Sequence, residues 1–165
     1  NSSAYVIKWC VENDIDTFHY MHNSSAYVIK WCVENDIDTL VVGKNKEWKQ
    51  NVDMSTQSNQ KFVNIPYQML LQQLKYKCED VGIKYIETEE SYSSGTSFLD
   101  GEEPVKQNYD KSRRIERGLF RSNYGLLINS DVNGSLQIMM KAFPNAFNER
   151  YGIEGVLTPI VINAA

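Results

Sequence analysis

The chain has 165 residues, the length of one ordinary domain with a core of its own. Apolar residues make up 42% and charged residues 23%, a globular balance that argues against wholesale disorder, and the longest apolar run is too short for a membrane-spanning helix. The net charge of -4 speaks mildly against a nucleic-acid partner until local charge is considered.

No basic start with an apolar stretch behind it marks a secretory signal. The first residue is Asn1 rather than Met, which reads as a fragment or a processed or cloned piece. The cysteines are Cys10, Cys32 and Cys78, with no CxxC pair and no zinc spacing to His19 or His22. Zinc and disulfides are therefore not expected, and a reducing, cytoplasmic setting is.

Asn1 to Thr17 reads NSSAYVIKWCVENDIDT, and Asn23 to Thr39 repeats it without a mismatch. Repeat architectures need more units, and their units diverge, so residues 1–22 read as a duplicated helix segment of recent or artificial origin. The second copy runs into Leu40-Val41-Val42 and is the one expected inside the domain.

Asn23-Ser24-Ser25 offers helix caps, and Ala26, Tyr27, Val28, Trp31 and Cys32 recur at three- and four-residue steps behind them. Asn35-Asp36 ends that helix, and Asp38 to Gly43 reads as a buried strand. Lys44 to Thr56 is polar and reads as a loop. Gln60 to Val81 gives the strongest helical pattern, with Phe62, Ile65, Met69, Leu70, Leu74, Cys78 and Val81 on one stripe. Pro66 suggests a regular helix starting there, and Gly82 stops it. Ile83 to Thr88 reads as a second strand, parallel to the first.

Ser91 to Arg117 is long, polar and aperiodic, a functional or disordered loop by its composition. Leu119-Phe120-Arg121 and Leu126-Leu127-Ile128 flank a turn and predict a hairpin. Asn129-Ser130-Asp131 then caps a last helix with Val132, Leu136, Met139, Met140 and Phe143 inward, closed by Pro144. Pro159 to Ile162 reads as an edge strand in the tail, 148–165.

His19 and His22 have no nearby serine and aspartate to form a triad. Cys32 and Cys78 sit on apolar faces, where a packing thiol is the default. Carboxylates are better placed. Glu89 and Glu90 follow a strand, and Asp131 follows the hairpin. Such groups, converging, can bind Mg²⁺ through oxygen and leave waters for a phosphate. The same residues also read as a solvated turn and a helix cap. Between Pro104 and Gly125, Lys106, Lys111, Arg113, Arg114, Arg117 and Arg121 face only Asp110 and Glu116. Lys46, Trp48 and Lys49 form a smaller basic and aromatic patch. Such patches track phosphates and stack bases, and they also occur as solvated loops.

Six blocks occur in order: LVVGKNKEWKQN from Leu40, NQKFVNIPY from Asn59, LKYKCEDVGI from Leu74, EESYSSGTSFLD from Glu89, RRIERGLFRS from Arg113 and INSDVNGSLQI from Ile128. Together they resemble the C-terminal, RuvC-like nuclease half of the TnpB (OrfB) proteins of insertion sequences. That family includes RNA-guided DNA endonucleases related to type V CRISPR effectors. The resemblance covers His22 to about Phe147. It implies an α/β, RNase H-like (RuvC-type) mixed sheet with helices over 23–147, truncated at its N-terminus. A polar, arginine-rich insert over 91–125 stands at the zinc-ribbon position.

By the resemblance, Asp131 matches the family's last metal-binding aspartate. Val41-Val42-Gly43 stands where most members carry a glutamate, and Glu90, with Glu89 second, is the expected replacement. Only one of the two neighbours on an extended strand can face a metal. Ser97 stands where a first zinc cysteine would be, so the insert resembles a metal-free version. The family's first catalytic aspartate precedes the helix opened at Asn23, and this chain lacks that strand. The implied cofactor is Mg²⁺ or Mn²⁺ at Asp131 and Glu90. The implied partners are DNA and a guide RNA, contacted by Lys46, Trp48, Lys49, Arg113, Arg114, Arg117 and Arg121, with no membrane. Either the parent is a metal-dependent DNA endonuclease of the transposase family, or the chain is a catalytically inactive nucleic-acid-binding remnant of a mobile element.

Overall fold

The computed structural model describes residues 17–44 and 57–147, with the backbone alone at 17 and over 57–66. The first copy of the repeat, the patch at Lys46, Trp48 and Lys49, Cys10, the side chains of Phe62 and Ile65, and the tail lie outside the described residues. Helix α1 spans Thr17–Glu34, strand β1 Thr39–Lys44, helix α2 Gln57–Val81 and strand β2 Lys84–Glu89. Strands β3 (Arg114–Glu116), β4 (Leu119–Arg121) and β5 (Leu127–Asn129) follow, and helix α3 spans Ser130–Ala142. Among the described residues no helix is long and apolar enough to cross a membrane.

The chain divides into two compact units. The first holds, of the described residues, 17–40 and 57–86. The second holds 41–44 and 87–147. Strands β1 and β2 form a two-stranded sheet. Lys84 N–H donates to Asp38 O at 2.8 Å, and Glu90 N–H donates to Lys44 O at 3.1 Å. Both bonds cross the same sequence spacing, so the strands run parallel, as their order predicts.

In the first unit, α1 packs on α2. Both helices end in one device. Asp36 and Gly82 take left-handed backbone, with φ of 53° and 75°. The next residue then donates back into the helix, Ile37 N–H to Cys32 O and Ile83 N–H to Cys78 O, both at 2.9 Å. The shared core is Met21, Ile29, Cys32, Leu71, Leu74, Cys78 and Ile83. It is rotated from the predicted faces. Tyr27 and Trp31 are exposed, because Ser25 and Gln73 take the inner positions and hydrogen-bond each other at 3.2 Å, with Lys77 Nζ on Ser25 Oγ at 2.7 Å. A polar pair that satisfies itself can occupy a core face that hydrophobicity alone assigns to aromatics.

Three boundaries differ from expectation. Helix α1 already runs through Phe18 to His22, so Asn23 to Ser25 lie within it and cap nothing. Helix α2 begins at Gln57 and carries Pro66 inside it. Strand β1 is half-buried except at Gly43.

In the second unit the polar stretch after β2 is ordered, not structureless. It makes 3-10 turns at Lys106–Asn108 and Lys111–Arg113, then the antiparallel sheet β3-β4-β5. The predicted hairpin pairs Leu119 with Asn129, Phe120 with Ile128 and Arg121 with Leu127. Phe98, Phe120, Ile128 and Leu136 form the core, flanked by Leu99, Val132, Met140 and Phe147. Met139 and Phe143, expected inward, are exposed. Buried Asn133 and Gln137 fill the inner face of α3 instead. Asn133 accepts from Phe98 N–H at 3.0 Å and donates to Thr96 O at 2.8 Å.

Candidate metal and nucleic-acid site

Strand β2 ends at Glu89, and the chain then turns sharply. Glu89 Oε1 accepts from Ser91 N–H at 3.0 Å and from the Ser91 hydroxyl. Its Oε2 faces Lys141 Nζ at 3.4 Å. The same ammonium donates to Glu89 O at 3.1 Å and to Ser91 O at 2.5 Å. Both oxygens of Glu89 are thus committed, and Lys141 has three oxygen acceptors for its three N–H bonds.

Glu90 differs. Its carboxylate is half-buried beside the end of β1. A Cβ added at Gly43 would stand 3.1 Å from Glu90 Oε2 and 2.6 Å from Ile138 Cδ1. The volume next to Gly43 is therefore occupied by Glu90 and Ile138. Burial raises the Glu90 pKa above the ordinary carboxylate range, the Glu89 charge raises it further, and Lys141 opposes both. Strand β1 separately pairs Lys44 with Glu87.

Asp131 is exposed in the first turn of α3, and Asn129 is the true cap, accepting from Asp131 N–H at 2.9 Å and Val132 N–H at 3.2 Å. Asp131 and Ile138 are seven residues apart, close to two turns, so they share a face about 10 Å apart along the axis. Lys141, which holds Glu89, is ten residues from Asp131, about 15 Å along the helix. Glu90 thus stands near Ile138 and Glu89 at Lys141, contacts that lie three residues apart on α3. Among the described residues no three His, Cys, Asp or Glu side chains converge as metal ligands.

The basic residues divide as well. Arg113 is an internal group, with only 15% of its side chain exposed. It pairs with Glu102 at 2.8 Å, and lies 4.0 Å from Asp100 and 3.8 Å from Asp110. Glu102 also accepts from Ser97 N–H at 2.9 Å and from Asn123 Nδ2 at 2.8 Å, while Gln137 donates to its carbonyl at 3.0 Å. Burial pushes the Glu102 pKa up, but the Arg113, Ser97 and Asn123 hydrogen bonds outweigh it and hold it below the ordinary value. Arg114, Arg117 and Arg121 are exposed. Cys32 and Cys78 are inert in this setting: burial pushes the Cys78 thiol up to about 11, helped by Cys32 and Glu79, and burial raises Cys32 too. His19 and His22 are exposed.

Sequence reasoning missed Lys141, Glu102, Asn133 and Gln137. Their partners lie 35 or more residues away, except for the contacts of Glu102 with nearer segments, and no periodicity signals such pairs.

This fold, a helix pair, a short parallel pair and a hairpin feeding a helix whose first turn bears an aspartate, has counterparts among known proteins. Residues 67–138 match the model of the Cas12f1-like, TNB domain family. The chain is similar to the protein in "Cryo-EM structure of the Cas12f1-sgRNA-target DNA complex", at 14% identity and a TM-score of 0.53 over 81% of this chain. It spans 36% of that protein's length. No curated protein matches the chain. The family match covers less than half of the chain, and the likeness to the solved structure is one of fold.

Proposed function

We propose that this chain is the RuvC-like, RNase H-like nuclease portion of a TnpB-like, RNA-guided DNA endonuclease. The observation that carries the reading is the exchange at the strand ends. Most relatives of the resembled family carry a glutamate where Gly43 stands, and here the Glu90 carboxylate reaches to 3.1 Å from the Cβ that Gly43 lacks. A carboxylate delivered from β2 thus stands beside the position that β1 leaves bare. Glu89, braced by Ser91 and Lys141, positions it.

In the parent protein, Glu90 and Asp131 would hold Mg²⁺ or Mn²⁺. Both supply the hard oxygen donors those ions prefer. Bound metal would activate water and stabilise the leaving oxygen of a DNA phosphodiester. The two residues present do not complete such a site, and the resemblance assigns the further aspartate to an N-terminal strand. Exposed Arg114, Arg117 and Arg121 contact nucleic acid in this reading, and Arg113 holds the insert together. The insert needs no zinc, because Glu102 and Arg113 tie its turns. DNA and a guide RNA are the partners, the RNA supplying sequence by base pairing.

The mismatch-free repeat of Asn1–Thr17 at Asn23–Thr39 favours the second reading, a catalytically inactive nucleic-acid-binding remnant of a mobile element. Cleavage separates the two. The full-length parent is expected to cut DNA only with Mg²⁺ or Mn²⁺, and Asp131→Ala to abolish cutting while leaving nucleic-acid binding nearly intact. Cutting that survives in that variant rules out the metal assignment. A parent that binds but never cuts favours the remnant.

A further inference from the structure

The sequence carries one helix twice, and α2 offers a single seat for it. Helix α1 packs on α2 through the second copy of the repeat, whose Ser25, Ile29 and Cys32 are all buried. Gln73, Leu74 and Cys78 of α2 are buried with them. One contact makes the seat selective. Gln73 is 5% exposed, and its Oε1 accepts from the Ser25 hydroxyl at 3.2 Å. An apolar side chain at that register would leave the amide oxygen buried and unpaired. Lys77 Nζ donates to the same hydroxyl at 2.7 Å.

A helix that fits therefore needs serine, then isoleucine and cysteine at the spacing of 25, 29 and 32. The chain has that set at one other place, Ser3, Ile7 and Cys10. The helix stop is duplicated as well. Asp36 takes left-handed backbone and Ile37 N–H donates to Cys32 O, and Asp14 and Ile15 follow Cys10 in the same order. The copies differ only at their borders. Met21 lies between them and is buried ahead of the second, so seating the first would draw it out of the core. Burying one methionine is worth a preference of about ten-fold or more. Thr39 leads straight into β1, whereas Thr17 reaches it only across Phe18 to Asp38. Closing such a loop costs free energy that grows slowly with its length. Both differences favour the second copy, the one seated in the structure, and neither touches the interactions that the copies share.

We propose that the two copies compete for this one seat on α2, and that the first takes it whenever the second is impaired, releasing residues 18–38 as a loop. The inference rests on neither the metal part nor the nucleic-acid part of the proposed function. The test is pulsed alkylation of the 165-residue chain with iodoacetamide, read by peptide mass spectrometry. Tryptic peptides tell Cys10 from Cys32, because the copies diverge after Thr17 and Thr39. In wild type, Cys32 and Cys78 react slowly and Cys10 faster. In Ile29→Asp, a charge buried in the seat costs more than Met21 contributes, so the copies exchange. Cys32 then reacts about ten-fold faster or more, Cys10 slows by a similar factor, and Cys78 stays protected. Ile7→Asp keeps the wild-type pattern for Cys32 and Cys78. The double variant has no copy that fits and exposes Cys78. Cys78 reactive in wild type or in Ile29→Asp, Cys10 no slower in Ile29→Asp than in wild type, or Cys78 still protected in the double variant overturns the exchange. The pattern is unchanged on dilution, and one that fades on dilution seats the spare copy on a second molecule and overturns competition within one chain.

Discussion

Arg113 and Glu102 are both largely buried and hydrogen-bonded to each other. Removing the cation leaves two carboxylates, Glu102 and Asp100, in a poorly solvated place. Arg113→Ala is expected to destabilise the fold by about 3 kcal/mol in denaturant unfolding. The sign with pH follows from the lowered Glu102 pKa. The stability this pair contributes is present above the ordinary carboxylate range and is lost as pH falls through the lowered value. Wild type and Arg113→Ala therefore converge in acid. Glu90 runs the other way. Its pKa is raised, so its ionised form is disfavoured in the folded state, and that penalty grows as pH rises from the ordinary range through the raised value. Glu90→Gln is expected to be at least as stable as wild type at neutral pH, and to remove cleavage in the parent. Glu89→Gln is expected to lose more stability and less activity, because it releases Ser91 and Lys141. Thermal unfolding and cleavage rates of the two variants check this split.

At the scale of elements, what sequence made legible was whatever local chemistry decides. Gly82 stops α2, the hairpin has its turn at Ser122 to Gly125, and α3 starts behind Asn129. Asn129 accepts two helix N–H bonds, so Asn129→Ala is expected to cost about 1 kcal/mol in denaturant unfolding. Helix faces were less legible. Ser25 and Gln73 are polar yet buried, and that exchange turns Tyr27 and Trp31 outward. The insert was the least legible. Its order comes from polar links between distant residues, such as Asn133 with Thr96, and a polar aperiodic string gives no sign of which side chains will meet. Of the candidate carboxylates, the sequence shows only their places at strand ends, whereas the Lys141 brace on Glu89 and the packing of Glu90 beside Gly43 are visible in the structure alone.

Over 81% of its length the chain matches 36% of a much longer protein, and a two-stranded parallel sheet is too small to stand alone. The pair β1–β2 depends on what packs and pairs with it, so its stability belongs to its surroundings rather than to its own ladder. The second unit is organised differently. Glu102 is joined to Ser97, Arg113, Asn123 and Gln137, and this ties four separate stretches of the segment to one residue. Loosening any of the four weakens the hold on the rest, so the stretch from Ser97 to Gln137 is expected to open as one foldon, its protected amides trading hydrogen for deuterium in step.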